Sequence, residues 1–107
     1  MKKIKVKENN MPQYLEQLKS DYTVLLKFLK ARFPIFHNSN FFFRDLQFGI
    51  RRYFELKQIN LSYEQSEKIA AGLAEFLEDK GIFVKINSQT WKFNYLDFVT
   101  VEPGDPL

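Results

Sequence analysis

Cysteine is absent from this chain of 107 residues, and histidine occurs once. The first absence excludes disulfides, thiolate nucleophiles and cysteine-ligated zinc. The second leaves His37 with no other imidazole to complete a metal site. His37 instead lies beside Asn38, Ser39 and Asn40, which read as helix caps. No Gly-rich phosphate loop or Ser-His-Asp signature is present, and the neighbouring carboxylates Glu75, Glu78 and Asp79 read as solvated. An enzyme is therefore not expected, nor a cofactor, a metal or a small-molecule substrate. No stretch approaches the ~20 apolar residues of a membrane helix. The basic opening MKKIKVKENN has no apolar segment behind it, so it does not read as a signal peptide. Together with the missing cysteines, this gives the expectation of a cytoplasmic chain.

Glycine and proline are sparse, at four each. No linker or repeat divides the chain, so a single domain over 1–107 is expected. Residues 1–9 form a basic strand or arm, and 102–107, with Pro103, Gly104 and Pro106, a frayed tail.

Aromatic residues are plentiful, with twelve Phe, five Tyr and one Trp. Rings bury much area each, so most of them should fill a core. The informative ones are those that the hydrophobic pattern leaves outside it. Charge is also unevenly placed. Residues 1–60 hold twelve Lys/Arg and five Asp/Glu, a net of +7; residues 61–107 hold four and eight, a net of −4.

Ile4 and Val6 alternate with Lys3, Lys5 and Lys7, the pattern of a short strand with lysines toward solvent. A first helix is predicted over 11–33, capped by Asn10 with Gln13. Its apolar stripe is Leu15, Leu18, Tyr22, Leu25, Leu29 and Phe33, and Pro34 ends it. Asn38 to Asn40 would cap a second helix over 41–57, with Phe42, Phe43, Leu46, Ile50, Tyr53 and Phe54 inward. A turn over 58–61 follows. Ser62 and Gln65 then form a capping box for a third helix over 62–80, which buries Ile69, Ala70, Leu73, Phe76 and Leu77 and ends at Gly81. After Gly81 the period changes to two. Ile82, Val84 and Ile86 alternate with Phe83 and Lys85, and Trp91, Phe93 and Tyr95 with Lys92 and Asn94. This predicts a hairpin over 82–95 turning at 87–90. Phe98 to Val101 would add a strand or a packed tail.

The segment LSYEQSEKIAAGLAEFLEDKGIFVKINSQTWKFNY, Leu61 to Tyr95, joins a capped helix through Gly81 to an immediate two-stranded ribbon. In this, and in the order helix, helix, short turn, helix, hairpin, the chain resembles the winged-helix superfamily. The resemblance implies an α+β, three-helix winged-helix-like domain. Such domains often lay the third helix in the DNA major groove, and many others bind proteins. Architecture does not choose between these, so the residues must.

The third helix carries Glu64, Glu67, Lys68, Ala71, Glu75, Glu78 and Asp79 opposite its core stripe. Five acids and one lysine repel phosphate, and Glu64 is spaced to pair with Lys68. Conventional groove reading is disfavoured, because base and phosphate contacts need Arg, Lys, Asn or Gln. The second helix differs. Arg44, Phe48, Arg51 and Arg52 share an arc of about 100° opposite its core. Phe48 is the one ring that the helical period places among charges. Guanidinium planes beside a ring can stack, bind phosphate or hold carboxylates.

These four residues are the candidate partner-binding site, with Lys2, Lys3, Lys5 and Lys7 as auxiliary cations. A protein partner is preferred, with DNA or RNA bound by the basic half as the alternative. Val24 and Phe28 lie opposite the first helix's core stripe. They would pack on the hairpin or meet a second copy in a homodimer. Gly49 and Gly72 sit inside helices at a cost of about 1 kcal/mol each relative to Ala. A close approach between their two helices would account for both.

Overall fold

Asp21 divides the first predicted helix in two. In the computed structural model, which describes residues 4–98, α1 spans Met11–Ser20 and α2 spans Tyr22–Arg32. Asp21 itself has φ −106° and ψ +25°, off the helical basin. Serine and aspartate compete with the helical backbone for hydrogen bonds, so Ser20-Asp21 is a weak point in the run. The break lets α1 pack on the last helix and α2 on the middle one. The apolar stripe survives it, since Leu18, Leu25 and Leu29 are all fully buried. The Asn10 cap does not form. Glu8–Asn10 is a turn of 3-10 helix that runs directly into α1, and the Asn10 side chain caps nothing.

The second predicted helix begins later than its polar triplet suggests. Asn40–Phe42 is a strand, β2, and the helix α3 spans Phe43–Glu55. No side chain caps α3. The Phe43 amide instead donates to the Gln89 carbonyl at 2.9 Å, so the hairpin turn satisfies the helix start. Ser39 still has a local role, accepting from the Phe36 amide at 3.0 Å. Phe42, expected in the core, is 49% exposed because it lies on the outer face of a strand.

The turn after α3 contains Gln58 at φ +65° and a two-residue strand. This β3, Ile59–Asn60, pairs in parallel with β1, Ile4–Lys5. Val6 is buried just beyond β1, but Ile4 is exposed, so the expected alternation is only half realised.

The last helix, α4, spans Tyr63–Asp79 and has the predicted capping box. Ser62 accepts from the Gln65 amide, and Gln65 Oε1 from the Ser62 amide. Its exit is a Schellman turn. Gly81 at φ +76° donates to the Glu78 carbonyl, and Ile82 donates to Leu77. Leu77 is fully buried, as expected, whereas Phe76 is only half-buried against Tyr22.

Strands β4, Phe83–Asn87, and β5, Thr90–Phe93, pair antiparallel, and β2 adds to the far side of β5. The register sets Phe83 opposite Phe93 and Lys85 opposite Trp91, with an irregularity between Lys85 and Asn87. Phe41, Phe83, Trp91 and Phe93 therefore line the inner face, while Val84 and Ile86 point outward. The fold is α+β, with four α-helices and two small sheets among the described residues. Leu96–Phe98 closes the sheet end as a 3-10 turn, with Phe98 buried. The segment 99–101, the tail at 102–107, and Lys2 and Lys3 lie outside the described residues. No described helix is long and apolar enough to cross a membrane.

The two helical glycines do not meet each other. A Cβ on Gly49 would lie 2.2 Å from Leu29 Cδ2 of α2, and one on Gly72 would lie 2.6 Å from Leu15 Cδ2 of α1. Each glycine admits a leucine from the divided first helix, so the close approaches are α2 to α3 and α1 to α4.

Candidate binding surface on helix α3

Helix α3 buries Leu46, Gly49, Ile50, Tyr53 and Phe54 along one side. Its opposite side carries Arg44, Phe48, Arg51 and Arg52, all exposed, and Phe48 is 60% accessible. Among the described residues, none covers the Phe48 ring. A ring left this open forgoes the roughly 2 kcal/mol that burial of a Phe side chain gives. Arg52 forms an ion pair with Glu55 one turn on, both partly in solvent. Among the described residues, Arg44 and Arg51 have no ion-pair partner.

Gln47 sets this face against α4. It is buried at the seam between the two helices, and its Nε2 donates to the Tyr63 carbonyl at 3.2 Å and to Ser66 Oγ at 3.0 Å. Ser66 Oγ in turn donates to the Tyr63 carbonyl at 2.7 Å. A buried polar pair is costly unless satisfied, so this arrangement fixes the register of α3 on α4.

Beside that seam lies an open groove of about 870 Å³, bounded by the start of α3, the exposed face of α4 and the hairpin. Arg44 and Gln47 line one wall, Glu67, Ala71 and Glu75 the next, and Lys85 and Trp91 the end. Trp91 is nearly enclosed and stacks on Phe83, with centroids 5.0 Å apart. Its Nε1 donates to Glu78 Oε2 at 2.8 Å, which ties the hairpin to α4. Glu64, Glu67, Glu75 and Asp79 are exposed, as the helical period predicts. Lys68 pairs with Glu8 at 3.6 Å, not with Glu64 as its spacing suggested.

The auxiliary lysines fall elsewhere. The Ile4 amide donates to the Gln58 carbonyl, beyond the C-terminal end of α3, so Lys5 lies toward that end and away from Arg44. Lys7 is exposed in the segment that leads to α1. Val24 is 54% exposed. Phe28 is half-buried, its ring edge-on to Tyr53 at 5.4 Å and covered by Arg32 at 4.4 Å. The two do not form one open apolar patch, and Phe28 packs on α3 and not on the hairpin.

His37 is used internally. Its Nδ1 accepts from the Tyr95 amide at 3.1 Å, and its own amide donates to the Phe98 carbonyl. An accepting Nδ1 places the imidazole proton on Nε2. The Tyr95 phenol is pushed up from its ordinary value, first by burial and then by the nearby Asp97 carboxylate. Among the described residues, no group of three or more His, Asp or Glu is placed to hold a metal ion.

No protein-family model, curated protein or solved structure matches this chain. The site must therefore be read from its own chemistry.

Gln47 and the groove were not singled out in the sequence. The available signal was polar: Gln47 and Ser66 each sit at the edge of a core stripe, where an unpaired amide or hydroxyl would be costly. The Trp91–Glu78 bond had no such signal, since it depends on how the hairpin folds back.

Proposed function

We propose that this chain is a cytoplasmic, non-catalytic binding module of winged-helix-like architecture, and that the Arg44–Phe48–Arg51–Arg52 face of α3 binds a protein. The observation that carries the reading is Phe48, largely open to solvent between arginines of which two are unpaired among the described residues. Interface hot spots favour an aromatic anchor and arginines, which bury area and hold carboxylates bidentately. The winged-helix-like part of the reading is supported by the passage from α4 through the Gly81 turn straight into the β4–β5 pair.

Nucleic acid suits this surface less well. Arg44 shares its groove with Glu67, Glu75 and Glu78 of the acidic side of α4, which repels phosphate at that end of the face. Fluorescence anisotropy with labelled duplex and single strands at two salt concentrations tests the choice. Weak or no binding near physiological salt is expected, with any low-salt binding falling steeply as salt rises. Sub-micromolar affinity with sequence discrimination, lost on R51E/R52E, would overturn the protein-binding reading.

A further inference from the structure

The exposed faces of α3 and α4 have the same spacing with opposite content. On α3, Arg44, Phe48 and Arg52 stand at i, i+4 and i+8; on α4, Glu67, Ala71 and Glu75 do the same. All six are exposed. Each set spans about 12 Å of helix. One has a large ring between two cations, and the other a methyl group between two carboxylates. The ring is a knob and the alanine a gap, and the charges on either side of them match in position. The pattern is symmetric about its centre, so the match holds for either relative direction of the two helices.

We propose that the partner of this face is a second copy of the chain, α3 of each protomer resting on α4 of the other. This rests on the protein-binding reading above and supplies the partner. The Gln47 seam makes α3 and α4 neighbours on one surface, and Arg44, Glu67, Ala71 and Glu75 border the same groove. A two-fold axis over that groove uses both faces twice and leaves neither open, which closes the assembly as a dimer. Lys68, the cation beside Glu67, is drawn to Glu8. The Arg52–Glu55 pair is solvent-exposed, and exposed pairs exchange partners at little cost. Phe48 meeting the exposed Ala71 would bury the ring that the monomer leaves open.

Sedimentation equilibrium across a wide concentration range is the test. The expected result is a mass rising from 12.8 kDa toward twice that value, with association weakened by salt. F48E, R44E/R52E and E67K/E75K should each weaken association on the order of tenfold or more. Their unaltered circular dichroism would show that folding is intact, and mixing R44E/R52E with E67K/E75K should restore a mixed dimer. V84E, on the outer face of β4, serves as an exposed control and should leave association unchanged. A monomer at every concentration and salt overturns the inference, as does a dimer indifferent to all three variants. A monomer that still crosslinks to another protein through position 48 sinks the second copy and keeps the protein-binding reading. A monomer with no protein adduct there sinks both.

Discussion

Gln47 Nε2 lies 3.0 Å from Ser66 Oγ, a hydrogen bond between two buried side chains that joins α3 to α4. Removing one partner leaves the other's hydrogen-bonding capacity unmet in the interior. Q47L should therefore destabilise the fold by about 1–3 kcal/mol. Urea denaturation would show it as a lower midpoint with little change in slope. An unchanged midpoint would mean that the seam is held by apolar packing alone.

The two helical glycines should respond differently to the same substitution. Gly49 faces Leu29, which is fully buried, so a Cβ 2.2 Å from its Cδ2 has nowhere to send it. G49A should cost about 1–3 kcal/mol as overpacking. Gly72 faces Leu15, which is only partly buried and can turn away. There the helix-propensity gain of about 1 kcal/mol offsets the crowding, and G72A should be close to neutral. Thermal unfolding of the pair checks the contrast.

Phenylalanines on opposite sides of α3 should separate in the same way. Phe54 is fully buried, with Tyr14 and Tyr53 edge-on at 5.6 and 5.7 Å. F54A should cost about 3–5 kcal/mol. F48A should fall within about 0.5 kcal/mol of the parent protein. A loss of several kcal/mol at position 48 would make it a structural residue and remove it from the binding surface.

Alkaline pH should loosen the end of the sheet. Burial and Asp97 raise the Tyr95 phenol above its ordinary value of 10.0. A group with a raised folded value stabilises the fold below its unfolded value, and that contribution is lost as pH climbs through the folded one. Tyrosinate absorbance should show one late-titrating tyrosine that disappears in Y95F, and Y95F should lose less stability than the parent at high pH. If Y95F leaves the titration unchanged, Tyr95 is not the shifted group.

Much of this fold could be read from local chemistry. Ser62 with Gln65 and Gly81 after Asp79 are caps whose partners lie within a few residues, so α4 emerged with its ends nearly in place. The exposure of Phe48 followed from the helical period alone, because one face of α3 is continuously apolar without it. What was misread depended on distant partners. Asn38 to Asn40 carry a cap signal, but pairing with Lys92 and Trp91 draws Asn40–Phe42 into the sheet. The apolar stripe from Leu15 to Phe33 runs through Asp21 unbroken, and periodicity does not report a bend that packing against two different helices selects. The glycines signalled close approaches but not the expected one: each faces a leucine of the divided first helix and not the other glycine's helix. The groove was illegible because its walls come from three elements that only tertiary packing assembles.

The central claim is that Phe48 is an anchor for a protein. A photocrosslinking phenylalanine analogue placed at position 48 in the producing cell tests it most directly, with the same analogue at the exposed Val84 of β4 for comparison. The prediction is a discrete protein adduct from position 48, absent from position 84 and lost when Arg44, Arg51 and Arg52 are changed to Glu. No adduct from position 48, or an adduct to nucleic acid, would contradict the account.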